Sequence, residues 1–318
     1  MEREDLSQTD NEYDFGERIY DSRISRFFSV DPLARKHPMD APYIFAGNSP
    51  ISCIDLDGRE KIIISGSENR WWKLTFILPA MKLIKTYREY NKTEAITMLL
   101  FKEGYTQKQI DRVTKYAQKK GANVIVVNSA NDVVYYINNK STINNPNGRD
   151  NDPITTVNIF SHGLPNQIVF GYGQSDDIVK KYTFDESHVK KLDPKAFKKG
   201  AVITSWACRT GAATDGNGDV DPEKSLAQKI ANQTGTIIYA LQKRSDYEGI
   251  IPDDRTFFDK IQEKLGFKET DKTYDQHGGS WDTDSAVDKT NFPTVGSTPG
   301  NSPGWTRFEK GKSPEVMK

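Results

Sequence analysis

A histidine and a cysteine each follow an apolar, strand-like run, and these two residue types together can perform nucleophilic catalysis. His162 comes after the run TTVNIFS and Cys208 comes after AVITSWA. The connection between the runs contains a helix and predicts a right-handed parallel crossover, which brings both strand ends to one edge of a sheet. An imidazole and a thiol in one cleft are the groups that a cysteine nucleophile requires. Gly163 permits close backbone approach, so its N–H and that of Cys208 are the predicted oxyanion-binding pair.

Each of these residues also has an ordinary structural interpretation. A single cysteine after a strand is most often a small buried apolar residue, and a single loop histidine is usually solvated or hydrogen-bonded. Their occurrence together at two strand ends favours catalysis by Cys208 and His162. His188 and His277 are rival bases. For His188, at a charged helix start, a solvated role is favoured, and His277, in a polar extension, is the weaker rival with a substrate-contacting role.

Residues after the cysteine supply candidates for substrate and metal binding. Arg209, Trp281 and Trp305 are candidate substrate-binding residues, and packing anchors are the alternative role for the two tryptophans. Oxygen ligands recur at alternate positions of the loop TDGNGDVDPE, as at the start of an EF-hand. They are Asp215, Asn217, Asp219 and Asp221. Val220 and Leu226 replace the glycine and glutamate of that motif. A calcium site, a solvated helix-capping loop and an attraction for a basic substrate side chain are therefore alternatives, and the predicted chemistry requires no cofactor.

Composition limits the classes of protein to which the chain can belong. Its 318 residues include 44 Lys and Arg against 44 Asp and Glu, so the formal net charge is zero and the bulk attraction for nucleic acid is absent. No apolar run reaches the roughly 18–20 residues that span a bilayer. Two cysteines cannot form a disulfide framework, and a single Cys53–Cys208 bridge is a disfavoured alternative. The polar, acidic start lacks the features of a signal peptide.

The pattern of residues divides the chain into three parts. Residues 1–58 carry aromatic patches separated by Asp, Gly, Pro and Asn, which predicts short strands and turns. Residues 59–245 alternate apolar runs with helical patterns, including a helix over 106–120 with a Thr cap. Such alternation predicts an α/β fold with a mostly parallel sheet covered by helices on both faces. Residues 246–318 are predicted to be an irregular, partly disordered extension packed on that domain, with one helix over 255–265.

The motifs SHG, at 161–163, and ACRTG, at 207–211, resemble those of caspase-like cysteine peptidases, which include caspases, gingipains and separases. The following LAQKIANQTGTIIYA is also similar to that family, and the resemblance spans about residues 60–310. It implies a caspase-like three-layer α/β fold. It also implies that Cys208 attacks the peptide carbonyl and His162 moves the proton to the leaving amine, without an acidic third member. Trp206 stands where caspases have Gln, and Thr210 is inserted before Gly211, so the closer resemblance is to bacterial caspase-like domains.

The first part of the chain resembles a second family, the core-associated region that ends bacterial RHS-repeat proteins. The shared elements lie between about residues 11 and 60 and include YDFGERIYD, SRFFSVDPL, PYIFAGNSP and DLDG. In that family the region closes a spiral β-shell, and the domain after it is often a toxin. Leu56 stands where the family has Pro before the junction at Gly58, which departs from the pattern associated with self-cleavage there.

Together the two resemblances imply a cysteine endopeptidase at the C-terminus of an RHS-type polymorphic toxin. The implied partners are a protein or peptide substrate, the RHS shell of a longer carrier and an immunity protein, with no nucleic acid. The implied location is secretion, or delivery into a target cell, as part of that carrier. The alternatives are a non-catalytic caspase-like adaptor or structural tip and a nuclease toxin, which the neutral charge and the lack of a metal-ligand motif disfavour.

Overall fold

The chain divides into two units, Met1–Asp57 and Gly58–Lys318, and each is described by itself. The computed structural model describes residues 12–14, 19–21, 26–27, 59–68, 74–91, 94–140, 149, 152–214, 221–247, 249–250, 281–300 and 302–317. In the first unit these are three short antiparallel strands in the order β1 (Glu12–Asp14), β2 (Ile19–Asp21) and β3 (Arg26–Phe27). Their register places Tyr13 opposite Tyr20 and Tyr20 opposite Phe27, so the aromatic patches fall on paired strands as the sequence predicts.

The second unit is built on one large sheet and smaller strand pairs. Its strands in chain order are β4 (Glu60–Ser65), β5 (Ala95–Phe101), β6 (Asn123–Val127), β7 (Ile154–Phe160), β8 (His162–Leu164), β9 (Gln167–Val169), β10 (Thr183–Phe184), β11 (Phe197–Ser205), β12 (Ile237–Leu241), β13 (Ser245–Asp246), β14 (Thr294–Val295), β15 (Trp305–Phe308) and β16 (Glu315–Val316). The large sheet has the order β16-β15-β12-β11-β7-β4-β5-β6. Its central strands are parallel, and β15 and β16 add antiparallel strands at one side.

The order of the parallel strands creates a switch point between β4 and β7. The chain runs from β4 outwards to β5 and β6, and then returns to β7 on the other side of β4. Connections on the two sides of this point leave the sheet in opposite directions and open a crevice beyond the carboxyl ends of the strands. The loops after β4 and β7 are therefore placed where open α/β sheets commonly bind ligands.

Helices cover both faces of this sheet and give a three-layer α/β arrangement. They are α1 (Ile77–Tyr90), α2 (Gln107–Lys119), α3 (Ala130–Asn139), α4 (Asp176–Tyr182), α5 (Glu186–Val189), α6 (Leu226–Thr234) and α7 (Asp284–Lys289). The helices α1, α2 and α7 share one core, and α3, α5 and α6 share the other. Strand β4 supplies both cores, because Ile63 packs on the first and Ile62 and Ile64 pack on the second. The α/β class with a mostly parallel sheet is thereby confirmed. None of the described helices is both long and apolar enough to cross a membrane.

Helix α2 forms where the sequence predicts it, and its start shows why. The Thr106 hydroxyl accepts a hydrogen bond from the Gln109 N–H at 3.3 Å, and the Gln109 side chain accepts one from the Thr106 N–H at 2.9 Å. This reciprocal pair satisfies two donors that a helix start leaves unpaired. Ile110, Val113 and Ala117 then recur on one face and are buried against the sheet.

The segment after residue 245 contributes more regular structure than the sequence predicts. Strand β15 pairs with β12 in the large sheet, with Phe308 opposite Ile238, and both side chains are fully buried. Strand β16 then pairs with β15. The helix expected over 255–265 lies outside the described residues. The end of the second unit is therefore part of its sheet.

Trp281 fastens the segment before α7 to the helix layer. Its ring is fully buried in the core of α1 and α2, and the Arg112 guanidinium lies 4.4 Å from the ring centroid. Both oxygens of Asp282 accept hydrogen bonds from that guanidinium, at 3.0 Å and 2.7 Å. A bidentate pair of this kind fixes orientation as well as distance. Trp281 thus has the packing role that the sequence left as an alternative.

The Arg112–Asp282 pair makes stability depend on pH. Hydrogen bonding to Arg112 holds the pKa of Asp282 below its usual value of 3.8. A lowered pKa stabilises the fold fully above about pH 5, and this contribution is lost as the pH falls through the folded pKa. We expect Asp282→Asn to reduce the free energy of unfolding by about 1 kcal/mol at pH 7, and the difference to fade between about pH 4 and pH 2. Urea unfolding across this range measures it, with exposed Asp177→Asn as the control, and an equal loss at pH 3 and pH 7 would contradict it.

Candidate active site

Neighbouring parallel strands place His162 and Cys208 at the same edge of the sheet. Ser205 near the end of β11 is in register with Ile159 of β7, and Cys208 and His162 each follow three residues later. The next residue, Gly163, packs directly on the cysteine backbone. A Cβ added to Gly163 would lie 3.0 Å from the Cys208 nitrogen and would overlap the Cys208 carbonyl oxygen. The two predicted oxyanion residues therefore contact each other, and only glycine fits at this approach.

The Cys208 sulfur is a free, half-buried thiol with polar neighbours. The Ser245 N–H donates a hydrogen bond to Sγ at 3.3 Å, and the Ser245 hydroxyl lies 3.4 Å from the same atom. Ser245 is the first residue of β13, which follows β12. The sulfur is therefore not sealed in apolar packing. It lies at the edge of the sheet, where the chain segments after β11 and β12 meet.

The turn after Cys208 is held in an uncommon conformation. Arg209 has a φ of 57°, in the left-handed region that side chains other than glycine rarely adopt. Its N–H donates to the Lys243 carbonyl at 3.0 Å, and the Gly211 N–H donates to the Leu241 carbonyl at 2.9 Å. The buried Thr210 hydroxyl lies 2.8 Å from that of Ser205. The extra threonine of this motif thus ties the turn to the end of β11, and strained turns of this kind are often found at functional sites.

A carboxylate from the loop after a third strand contacts the histidine. Oε2 of Glu68, in the loop after β4, lies 3.1 Å from Nε2 of His162. The Glu68 side chain is 3% exposed and that of His162 is 19% exposed. The caspase-like resemblance implied a catalytic pair without an acidic member, whereas a carboxylate contacts the imidazole here. Because β4 and β7 are neighbours at the switch point, the loops that follow them meet.

The Glu68 loop is fixed by backbone contacts on both sides. The Gly66 N–H donates to the Phe160 carbonyl and the Ser67 N–H to the Phe170 carbonyl, both at 2.8 Å. On the other side Gly104, with a φ of 82°, packs so closely that a Cβ there would overlap the Glu68 carbonyl oxygen. The carboxylate is thus presented by a rigid loop rather than by a surface side chain.

Aromatic rings and strand pairing set the orientation of His162. It is the first residue of β8 and lies opposite Val169 of β9. The Phe76 ring packs edge-on against the imidazole at 4.9 Å between centroids, and the Tyr172 ring lies at 5.0 Å. Glu68 occupies the Nε2 side of the ring. A carboxylate on one nitrogen selects the tautomer that frees the other.

Tyr247 lies between the histidine side and the cysteine side of the site. Its hydroxyl donates to the Trp206 carbonyl at 3.0 Å, and its ring packs edge-on against Phe76 at 5.1 Å. Burial raises the pKa of Tyr247 well above its usual value. The phenol therefore stays protonated at neutral pH and acts as a hydrogen-bond donor.

The remaining predicted site residues lie elsewhere or outside the described residues. His188 belongs to the start of α5, where Nδ1 lies 2.9 Å from the capping Asp185 carboxylate. His277, Asp215, Asn217 and Asp219 lie outside the described residues. Asp221 is described, and its carboxylate pairs with Lys224 at 2.7 Å. Within the described ranges, no group of three or more His, Cys, Asp or Glu side chains could hold a metal ion.

The three predicted substrate-binding residues have different environments. Arg209 is buried, and its guanidinium donates to the Thr214 carbonyl at 2.6 Å, in the loop after the cysteine. Trp281 is fully buried against Arg112. Trp305 is half-buried in β15 and packs edge-on against Trp206, with ring centroids 4.9 Å apart. Of the three, Trp305 combines partial exposure with a contact to the segment that carries Cys208.

Comparisons with known proteins add a short similarity. No family model matches the chain. Salivary gland surface protein 1 of Aedes aegypti is 47% identical to it over 47 residues. The matched stretch is 15% of this chain, and the chain spans about 1% of the length of that curated relative. A similarity of this length assigns neither a family nor an activity.

Proposed function

We propose that the second unit is a cysteine endopeptidase with a caspase-like fold, in which Cys208 is the nucleophile and His162 the base. The observation that carries this proposal is the convergence of three strand ends at the switch point. Glu68 contacts the imidazole at 3.1 Å, and the residue after His162 packs on the Cys208 backbone. A nucleophile, a base and a third group that orients the base form the arrangement that activates a weak nucleophile.

The groups at this edge suffice for peptide hydrolysis in two steps. Cys208 Sγ attacks the carbonyl carbon, a C–S bond forms, and the thiol proton passes to His162 Nδ1. The imidazolium returns this proton to the leaving amine as the C–N bond breaks, while backbone N–H groups of Gly163 and Cys208 stabilise the oxyanion. Water activated by His162 then hydrolyses the thioester, which restores the thiol. Glu68 positions the imidazole and stabilises its charged form.

The proposal places this enzyme in an RHS-type carrier. Support for the caspase-like fold comes from the motifs SHG and ACRTG, which follow adjacent parallel strands in the order of that family. Support for the carrier comes from the resemblance of residues 11–60 to the RHS core-associated region. In this proposal the unit is delivered to a target cell with the carrier and cleaves a protein there. An immunity protein is the corresponding partner in the producing cell.

The reactivity of the thiol tests the proposed function. Catalytic cysteines react as thiolates in a polar microenvironment. We expect iodoacetamide to alkylate Cys208 in the folded chain at least about 10-fold faster than a cysteine in a model peptide at pH 7. His162→Ala is expected to slow this reaction towards the peptide rate. Mass spectrometry of the modified chain identifies the site, and peptide cleavage should decline in step with its modification.

Two outcomes would replace the proposal with its alternatives. A Cys208 alkylation rate no faster than that of the peptide would favour a non-catalytic adaptor or structural tip. Nuclease activity that persists in the double variant His162→Ala/Cys208→Ala would favour a nuclease toxin. The unmodified chain and the double variant are prepared in parallel, and circular dichroism verifies that both are folded.

A further inference from the structure

Aromatic side chains form a partly exposed surface beside the candidate nucleophile. Trp206, Phe292 and Trp305 are half-buried, and we call them the aromatic surface. The Trp206 ring stacks on Phe292 at 5.9 Å between centroids and lies nearly perpendicular to the Trp305 ring at 4.9 Å. Fully buried Phe160 stacks beneath both Trp206 and Phe292, at 5.8 Å and 6.4 Å. The surface therefore has a rigid floor and three rings with remaining accessible area.

Hydrogen bonds join this surface to the sulfur. The Trp206 carbonyl accepts hydrogen bonds from the Ser245 hydroxyl and from Tyr247. Ser245 itself contacts Sγ of Cys208 at 3.4 Å. Across the β13–β14 pair, Ser245 lies opposite Val295, whose side chain is 40% exposed. A continuous run of contacts thus leads from the thiol to exposed apolar groups.

The aromatic surface lies on the same side of the sheet as the imidazole. Trp206, Tyr247 and Phe292 pack against the core that contains α1 and α2. Phe76, which contacts the His162 ring, belongs to that core as well. A peptide whose carbonyl carbon meets Cys208 near His162 therefore has a neighbouring side chain close to these rings.

The chemistry of this surface favours an apolar group over a charged one. Stacked indole and phenyl rings offer a large apolar contact area to a ligand. Lys82 approaches the Phe292 ring at 5.8 Å, but its ammonium donates to the carbonyls of Asp288 and Thr290. Asp221, in the acidic loop that could attract a basic side chain, pairs with Lys224. Among the described residues, the side chains around Trp206 therefore suit an aliphatic or aromatic side chain of a bound peptide.

We infer that the aromatic surface is the specificity site of the enzyme and binds a large apolar side chain on the residue whose carbonyl is attacked. This inference rests on the proposed function and adds the class of substrate to it. Leucine, methionine, phenylalanine and tyrosine are the residues that fit. Aspartate and asparagine lose hydration against these ring faces, and arginine regains only a cation–π contact in exchange.

A peptide panel tests the inference on the unmodified chain. Fluorogenic peptides differ only at the residue before the cleaved bond, which is Phe, Leu, Ala, Asp, Asn or Arg. We expect kcat/KM for Phe and Leu to exceed that for Asp, Asn and Arg by at least about 10-fold. Cys208-dependent cleavage with equal rates, or with a preference for a charged residue, would overturn the inference and leave the proposed function standing. Absence of Cys208-dependent cleavage of every peptide would overturn both.

Variants of the aromatic surface then test whether it is the source of the preference for large apolar residues. We expect Trp305→Ala and Phe292→Ala each to lower kcat/KM for the Phe peptide about 10-fold and for the Ala peptide less than about 3-fold. Tyr90→Ala is the matched control, because Tyr90 is 88% exposed at the end of α1. It should change neither value. Variants that leave the Phe-to-Ala ratio unchanged, with folding verified by circular dichroism, would overturn the assignment of the surface.

Discussion

Replacement of Cys208 by alanine is expected to abolish peptide cleavage while the fold is retained. The sulfur forms the bond to the substrate in the proposed mechanism, and alanine has no atom that can replace it. Loss of a nucleophile in a comparable hydrolase site reduces kcat by about 10⁴-fold or more. The side chain is small, half-buried and free of any disulfide. We therefore expect the unfolding midpoint to move by less than about 3 °C.

The other cysteine provides the matched control for this variant. Cys53→Ala removes the same thiol group elsewhere in the chain and should leave kcat/KM unchanged. Both variants are compared on the peptide that the unmodified chain cleaves fastest, and thermal unfolding is followed by circular dichroism. Cleavage by Cys208→Ala at the rate of the unmodified chain would remove the peptidase proposal.

Exchange of Glu68 for glutamine is expected to lower kcat by about 10²–10³-fold. Glutamine has nearly the same shape as glutamate, but it has no charge to stabilise an imidazolium. Its amide can also donate to Nε2 and thereby favour the wrong tautomer of His162. Glu68 contacts His162 rather than the substrate, so it is a positioning residue. KM should therefore change by less than about 3-fold.

Comparison with two further variants separates positioning from general stability. Glu68→Asp retains the charge and should recover part of kcat, because a carboxylate remains near the imidazole. Glu89→Gln, at a position whose side chain is 62% exposed on α1, serves as the control and should have no effect on kcat. If Glu68→Gln raises KM without lowering kcat, or changes neither constant, the positioning role is contradicted. Circular dichroism of each variant verifies that the folded fraction is the same.

The sequence pattern predicted the elements on which the site depends. The runs TTVNIF and AVITSW are rich in apolar and β-branched residues, as buried strands are, and they became adjacent strands. Adjacent parallel strands end at the same edge of the sheet. The contact between Gly163 and Cys208 therefore follows from the pairing of β7 with β11. The capping pattern at Thr106 similarly fixed the start of α2.

The role of Glu68 could not be predicted from local pattern. The stretch GSE after β4 carries no motif, and β5 and β6 separate β4 from β7 in the chain. The contact with His162 exists because the sheet order places β4 beside β7. That order is set by packing over the whole sheet rather than by residues near Glu68. A charged residue in the loop after the first parallel strand was the signal available.

The two tryptophans of the last segment show a similar limit. Both lie in Gly- and Pro-containing or polar stretches. From the sequence, packing and substrate binding are equally compatible with each of them. Packing in the core of α1 and α2 buries Trp281, with Arg112 over its ring. Pairing of β15 with β12 instead places Trp305 beside Trp206. Strand β15 has only four residues, too few to show alternation clearly. Long-range pairing therefore decided the role of each side chain.

The candidate site draws its groups from loops after β4, β7, β11 and β12, between Glu68 and Ser245. No short fragment contains the imidazole, the carboxylate and the thiol together with the framework that aligns them. If the proposed mechanism holds, an unfolded polypeptide of this sequence is expected to be inactive, even with every side chain present. Delivery in extended form, as the proposed carrier would require, would then suspend activity until the second unit refolds.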